Sequence, residues 1–457
     1  MTAPTVEQIK SALLLLFLAA YVVKSFVSLP FLAEVMAFLI GIVFFVSLPA
    51  IKKANRNLIL VLLFISGCLI WSTPGSFAWS AAIIENGGIA VLLMAVPLLR
   101  IVLYYAPYEG AIQSVVGSSI ETGYRFYLLT IALTAFLGSV MSVAALPFVY
   151  QLLFPIAKKY PQGILTRALA RGFAINLFWA PNLVAVAVAL RYVPISWKEL
   201  ATAGIGFSFL SLVLAMIVGK YELKQGQLPD RLEEEPIVKA LVVTAENRRH
   251  LERLSVQVVC ILLAVAAVTY FLQTTIYVTV TIVALLVPFV MALVLGTVPI
   301  WRQQLCHYRL SVLPGMTGEL IIFLTIGFFG YALAHSPLIS LLRTELAFFI
   351  TFPPAVLSLL IIFAIGGLAL IGIHPMITIS TVALVLANAE AGLSQPQLAV
   401  TFISGYIMYL ILSPFASVVM IISGLTGQSV YQSGWKQNWR YSLLLAGLVT
   451  AIMALWS

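Results

Sequence analysis

The chain has 457 residues, 62% of them hydrophobic and 9% charged, with a formal net charge of +9 and a mean hydropathy of +1.08. Soluble domains are about 45–50% apolar and roughly 25% charged, so this composition excludes a soluble enzyme, a nucleic-acid-binding domain and a disulfide scaffold. It leaves an all-α polytopic membrane protein.

A helix needs about 20 apolar residues to cross the roughly 30 Å hydrocarbon core. Taken in chain order, spans are expected near 10–29, 31–50, 57–73, 78–104, 169–192, 199–220, 255–273, 275–300, 310–333, 397–424 and 440–456. The first apolar run is followed by no small-residue cleavage site, so 10–29 reads as a retained span and not a signal peptide. Two stretches, 126–157 and 345–388, are too long for one span. The first is interrupted by Gly138, Ser139 and Ser142, the second by Gly366, Gly367, Gly372 and Pro375. Each is either a re-entrant helical hairpin or two ordinary spans with a tight turn. The hairpin reading gives about 11 transmembrane helices plus two re-entrant hairpins.

Lys and Arg set the orientation. With the N-terminus in the cytoplasm and both long stretches re-entrant, only Lys24, Arg191, Lys198 and Arg343 fall outside. The net charge therefore reads as topology and not as affinity for nucleic acid. Cys68, Cys260 and Cys306 show no pairing or metal-ligand pattern. The long polar segment 221–254, with Glu233 to Glu235 and Arg248, Arg249 and Arg253, reads as a solvated cytoplasmic linker.

That linker separates two similar halves, 31–220 and 255–457, after an extra N-terminal helix at 1–30. Glu85 and Glu319, and Gly138 and Gly372, are each 234 apart, and Pro181 and Pro414 are 233 apart. An odd number of crossings separates corresponding elements, which makes this an inverted-topology repeat, a transporter architecture. Such transporters bind substrate near the midplane at broken helices. The breaks here are the two hairpin tips and the spans interrupted at Pro181 and Pro414. A Pro frees backbone groups by removing a donor, and a helix that restarts after it aims its positive dipole end at the cavity. No basic residue other than His374 lies near these breaks, so helix ends would have to hold an anion.

The chain resembles the ion transporter superfamily, which includes divalent-anion/sodium symporters, arsenite and citrate transporters and some sodium/proton antiporters. The runs "LLTIALTAFLGSVMSVAALP" (128–147), "FAINLFWAPNLVAVAVAL" (173–190), "GIHPMITISTVALVLA" (372–387) and "SPFASVVMIISGLTGQS" (413–429) are similar to its hairpins and broken helices. The resemblance implies a scaffold domain that often dimerises, here as a homodimer, and a transport domain that moves as an elevator. Where sodium-coupled carboxylate members carry Ser-Asn-Thr at both tips, this chain reads Gly138-Ser139-Val140 and His374-Pro375-Met376. The coupling ion is thus left open between sodium and proton, and no organic cofactor or metal is expected.

The substrate-binding candidates are Ser139, Ser142, Asn176, Pro181, Asn182, His374, Thr378, Ser413 and Ser417. The hydroxyls either donate to an anion or cap the following helix. Asn182 either coordinates an ion or caps the second half-helix. His374 either titrates near neutral pH or stands with Pro375 at a helix start. Glu85 and Glu319 are coupling candidates, because a carboxylate in a span is costly. Their alternative is a structural bond to Asn86, Thr317 or a neighbouring helix. Trp71, Trp79, Trp197, Trp301 and Trp435 fit an interfacial belt, and Trp179 is a cavity candidate. With one Asp and four scattered His, the chain shows no membrane-enzyme constellation, and it has no phosphate-binding loop of an ATPase. The reading is a secondary transporter of a small anion in the inner (plasma) membrane of a prokaryote. A transporter of lipid or another amphipathic anion, or a non-transporting receptor, is the alternative.

Overall fold

The computed structural model describes residues 5–119, 122–157, 160, 162–224, 244–386 and 392–456. Residues 225–243 of the expected linker, the basic pair Lys158–Lys159 and residues 387–388 of the second expected hairpin lie outside the described residues. No strand occurs among the described residues.

α1 (Val6–Lys24) starts at a capping box, in which the Thr5 side chain accepts from the Gln8 N–H and Gln8 reaches back to the Thr5 N–H. α2 (Leu32–Ser47) and α3 (Lys53–Trp71) follow, separated by a 3-10 turn at Leu48–Ala50. α4 (Trp79–Ile83) and α5 (Gly87–Leu99) are two pieces of the span expected at 78–104, broken around Glu85. α6 (Tyr108–Ser119) precedes α7 (Gly123–Met141) and α8 (Ala145–Ala157). The Thr122 hydroxyl caps α7 by accepting from the Arg125 N–H. α9 (Gln162–Asn176) and α10 (Val184–Tyr192) flank the Pro181 break, and α11 (Trp197–Lys224) closes the first half.

The second half opens with α12 (Ala245–Leu272) and α13 (Ile276–Leu295), which ends on left-handed Gly296. α14 (Val298–His307) and a single turn, α15 (Leu313–Gly315), lead to α16 (Thr317–His335) and α17 (Leu338–Ile350). α18 (Pro354–Leu370) and α19 (Pro375–Leu386) come next. Residues 345–350 of the second expected hairpin thus belong to α17, because Phe352-Pro353-Pro354 stops that helix and starts another. α20 (Gln395–Leu412) and α21 (Ser417–Thr426) flank the Pro414 break, and α22 (Gln437–Leu455) follows a π turn at Gln432–Lys436.

Ten helical stretches among the described residues are long and apolar enough to cross a membrane. Phe45 (75% exposed), Phe64 (74%) and Val294 (79%) point outward. Large apolar side chains at that exposure suit contact with lipid and not water. The protein is an all-α polytopic membrane protein.

The chain divides into two units, with boundaries inside α12, α17 and α19. The first comprises Met1–Tyr105, Ile261–Ala347 and Leu384–Ala387. Within it α5 packs on α13, α3 on α16 and α1 on α2. The second comprises Ala106–Cys260, Phe348–Ala383 and Asn388–Ser457. Within it α7 packs on α9, α18 on α20, and α11 and α22 on each other.

Candidate functional site

The second unit contains two constructions of the same kind, each a helix-pair tip bonded to a broken helix. In the first, α7 ends because Ser142 turns to φ 53°, with its N–H donating to the Gly138 carbonyl. Ser139 is buried and its hydroxyl donates to the Phe136 carbonyl. α9 ends at Asn176, since Pro181 cannot donate and the chain runs as turns to Leu183. Two amides tie this break to the pair α7–α8. Asn176 Nδ2 donates to the Ala135 carbonyl at 2.8 Å, and Asn182 Nδ2 to the Val140 carbonyl at 3.3 Å. Asn182 does not cap α10: the cap position belongs to Leu183, which makes no side-chain cap bond. The buried Asn182 Oδ1 has no hydrogen-bond partner.

In the second construction, α18 ends at Leu370 and Gly372 takes φ +98°. The His374 ring accepts from the Met376 N–H through Nδ1 at 3.3 Å and lies 6.0 Å from the Tyr409 ring. Pro375 opens α19 at its first position, and Thr378 is buried with its Oγ1 unpartnered. The Ser413 hydroxyl donates to the Ala369 carbonyl at 2.7 Å and accepts from the Phe415 N–H at 3.2 Å, which ties the second break to its tip. Ser417 is the first residue of α21 and is half-buried.

A glycine stands behind each break. A Cβ on Gly204 of α11 would lie 2.1 Å from the Phe178 carbonyl oxygen, and one on Gly434 would lie 2.8 Å from the Leu412 carbonyl oxygen. Only glycine permits these approaches. The pair is 230 residues apart, as are Ser142 and Gly372, the positive-φ residues of the two tips. Gly138, matched to Gly372 by sequence spacing, instead lies inside α7, where a Cβ would meet Asn176 Nδ2 at 2.7 Å.

Ser139, Ser142, Asn176, Pro181 and Asn182 thus cluster at the first tip and break, and His374, Thr378, Ser413 and Ser417 at the second. Glu85 and Glu319 belong to the first unit instead. Glu85 lies in the turn between α4 and α5 and Glu319 in the first turn of α16. The side chains offered as their structural partners bond elsewhere in that unit: Asn86 Nδ2 donates to the Phe323 carbonyl and the Thr317 hydroxyl to the Pro314 carbonyl. Trp179 accepts from the Trp197 indole through its carbonyl. Among the described residues no group of three His, Cys, Asp or Glu is placed to hold a metal ion.

Sequence reasoning missed a buried ion pair in the second unit. Arg171 is fully buried and engages both carboxylate oxygens of Glu222, at 3.1 and 2.9 Å. It also donates to the Tyr127 phenol at 2.8 Å and to the Gln437 carbonyl at 3.1 Å, and its guanidinium lies over the Tyr441 ring. Counting Arg171 only among the inward-facing basic residues hid this. The available signal was its i,i+4 spacing from Arg167 in an otherwise apolar run, facing an isolated Glu at a span end.

No protein-family model and no curated protein matches the chain. Among solved structures it is similar to the YdaH transporter of Alcanivorax borkumensis, described as having an unusual topology. That match has 17% identity over 88% of this chain and 97% of that chain, with a TM-score of 0.58. The two share a fold. The chain is also similar to MtrF of Neisseria gonorrhoeae, described as illuminating a class of antimetabolite efflux pumps, at 12% identity, 100% and 95% coverage and a TM-score of 0.43.

Proposed function

We propose that this protein is a secondary transporter of a small anion, organised as in the ion transporter superfamily, with the second unit carrying the cargo and the first serving as scaffold. The observation that carries the reading is the duplicated tip-and-break construction. Two interrupted helices in one unit are each bonded to a tip, by Asn182 to Val140 and by Ser413 to Ala369. Irregular backbone at membrane depth persists only when it is buried in protein or lines a cavity. The helices that restart there, α10 and α21, begin with N–H groups that have no partner inside their own helix, and with the positive dipole end. An unpartnered buried polar atom costs about 1–3 kcal/mol, so Thr378 Oγ1 and Asn182 Oδ1 are poised for a ligand. The hydroxyl donates to an anion, and the amide oxygen accepts from a coupling cation or a ligand hydroxyl. The fold shared with a protein described as a transporter supports the same reading.

The test is ligand-induced thermal stabilisation of the detergent-purified protein. The panel holds mono-, di- and tricarboxylates, sulfonates and inorganic oxyanions, with and without sodium and at two pH values. A ligand at a hundred times its Kd stabilises by about 2.7 kcal/mol. The expected result is a shift with one anion class that Asn182→Ala and His374→Ala both abolish while the unliganded proteins melt normally. A shift that survives in both variants refutes the site, and a shift only with amphipathic phosphates makes the cargo amphipathic.

A further inference from the structure

The 230-residue spacing that relates the two breaks also relates α11 to α22. Gly204 corresponds to Gly434, and Ser211 corresponds to Tyr441, to which it is hydrogen-bonded. On that register Ser433, Asn438 and Ser442 stand where the first half carries Ala203, Ser208 and Leu212. Ser208 is satisfied, since its hydroxyl donates to the Ile175 carbonyl. The three residues of the second half are different. All are buried, and Ser433 Oγ, Asn438 Oδ1 and Ser442 Oγ have no hydrogen-bond partner. Such atoms are costly in a protein interior, and the first half shows that the fold does not require them at these positions.

These oxygens meet at the carbonyl end of α20. The Asn438 Nδ2 donates to the Ser433 carbonyl at 3.2 Å, across the π turn Gln432–Lys436. Ser442 follows Asn438 by four residues, on the same face of α22. The first half has no such turn, because α11 is continuous through Ala203 and Gly204, and π turns are frequent at functional sites. Gly434 sets the turn against the carbonyl of Leu412, the last residue of α20. That helix ends without its usual donors. Pro414 has no N–H to return to Leu410, the Phe415 N–H goes to the Ser413 hydroxyl, and the Ala416 N–H goes to the Ser413 carbonyl. The negative end of the α20 dipole is therefore directed at the same place. Arg440, two positions from both Asn438 and Ser442, is about 200° round the helix and lines a separate cavity with Glu222.

Oxygens at the carbonyl end of an interrupted half-helix are the surroundings in which transporters coordinate sodium. Divalent ions take carboxylate ligands, and this set has none, so it suits a monovalent ion. The geometry points to a sodium site behind the second break, formed by Ser433, Asn438 and the Leu412 carbonyl with Ser442 beside them. Neither tip contributes to it, and it does not depend on the nature of the cargo.

The experiment melts the full chain, purified in detergent and without added organic anion, in sodium chloride against choline chloride at equal ionic strength. Ser433→Ala and Asn438→Ser are tested singly and together, each installing the residue that the first half carries at that position. The expected result is a melting temperature that rises with sodium concentration, a smaller rise in each single variant and its loss in the double variant. In choline, Ser433→Ala melts no lower than the unsubstituted chain, because it deletes only an unpartnered hydroxyl. Asn182→Ala keeps the sodium rise, which separates this site from the one proposed for cargo. A sodium rise that behaves in this way while no anion stabilises the protein refutes the cargo site and leaves this one standing. No sodium-dependent rise in the unsubstituted chain overturns the proposal, as does a rise that is intact in the double variant or lost in Asn182→Ala.

Discussion

The Arg171–Glu222 pair shows how the cost of one residue depends on its neighbours. Its two members are 51 residues apart, both are buried, and the arginine makes four hydrogen bonds to three partners. Removing one partner strands a buried charge, which costs about 3–5 kcal/mol, whereas replacing both by apolar groups is often neutral. Glu222→Leu alone is therefore expected to lower the melting temperature sharply, and Arg171→Met with Glu222→Leu to recover only part of the loss, because buried Arg167 also shares that carboxylate at 3.7 Å, as read by thermal unfolding of the purified protein. The i,i+4 spacing of Arg167 and Arg171 in an apolar run hints at a buried charge, but no local signal ties position 171 to 222. Pro181 and Pro414 were legible for the opposite reason: the missing N–H acts on its own turn, whatever packs around it.

At the scale of elements, each tip depends on one residue in the positive-φ region. Ser142 adopts that backbone with a side chain attached, Gly372 without one. Such strain is of order 1–3 kcal/mol for a residue other than glycine. Ser142→Gly is expected to hold or raise the melting temperature, and Gly372→Ala to lower it. Opposite signs in a thermal melt check the assignment of these two as the tips. Spacing alone pointed to Gly138, since glycine suggests a break, but that glycine serves helix packing. The long apolar helices were readable from length and hydropathy. α6 and α17, of 12 and 13 residues, were not, being too short to register as spans. The breaks depend on distant glycines in the same way. Gly204→Ala is expected to displace the Phe178 carbonyl, lower stability by about 1–3 kcal/mol, and weaken anion-induced stabilisation as well.

On the scale of the whole molecule, the distribution of Lys and Arg fixes the expected sidedness. A single cysteine at position 246, near the start of α12, should face the cytoplasm. In a variant with Cys68, Cys260 and Cys306 replaced, Glu246→Cys is expected to react in intact cells with a membrane-permeant thiol reagent only. Labelling by an impermeant reagent reverses the orientation. The backing of each break by a glycine carries a further consequence, for how the cargo of such a protein can change. The frame around each break is main chain held against main chain, with Gly204 behind Phe178 and Gly434 behind Leu412. That part of the frame is set by backbone alone, while Asn182 and Ser413 join each break to its tip. On the reading proposed above, cargo choice falls to a handful of side chains such as His374, Thr378 and Ser417, set on that main-chain frame. Exchanges at those positions leave the two glycine contacts in place, whereas a side chain at 204 or 434 collides with the backbone of the break itself.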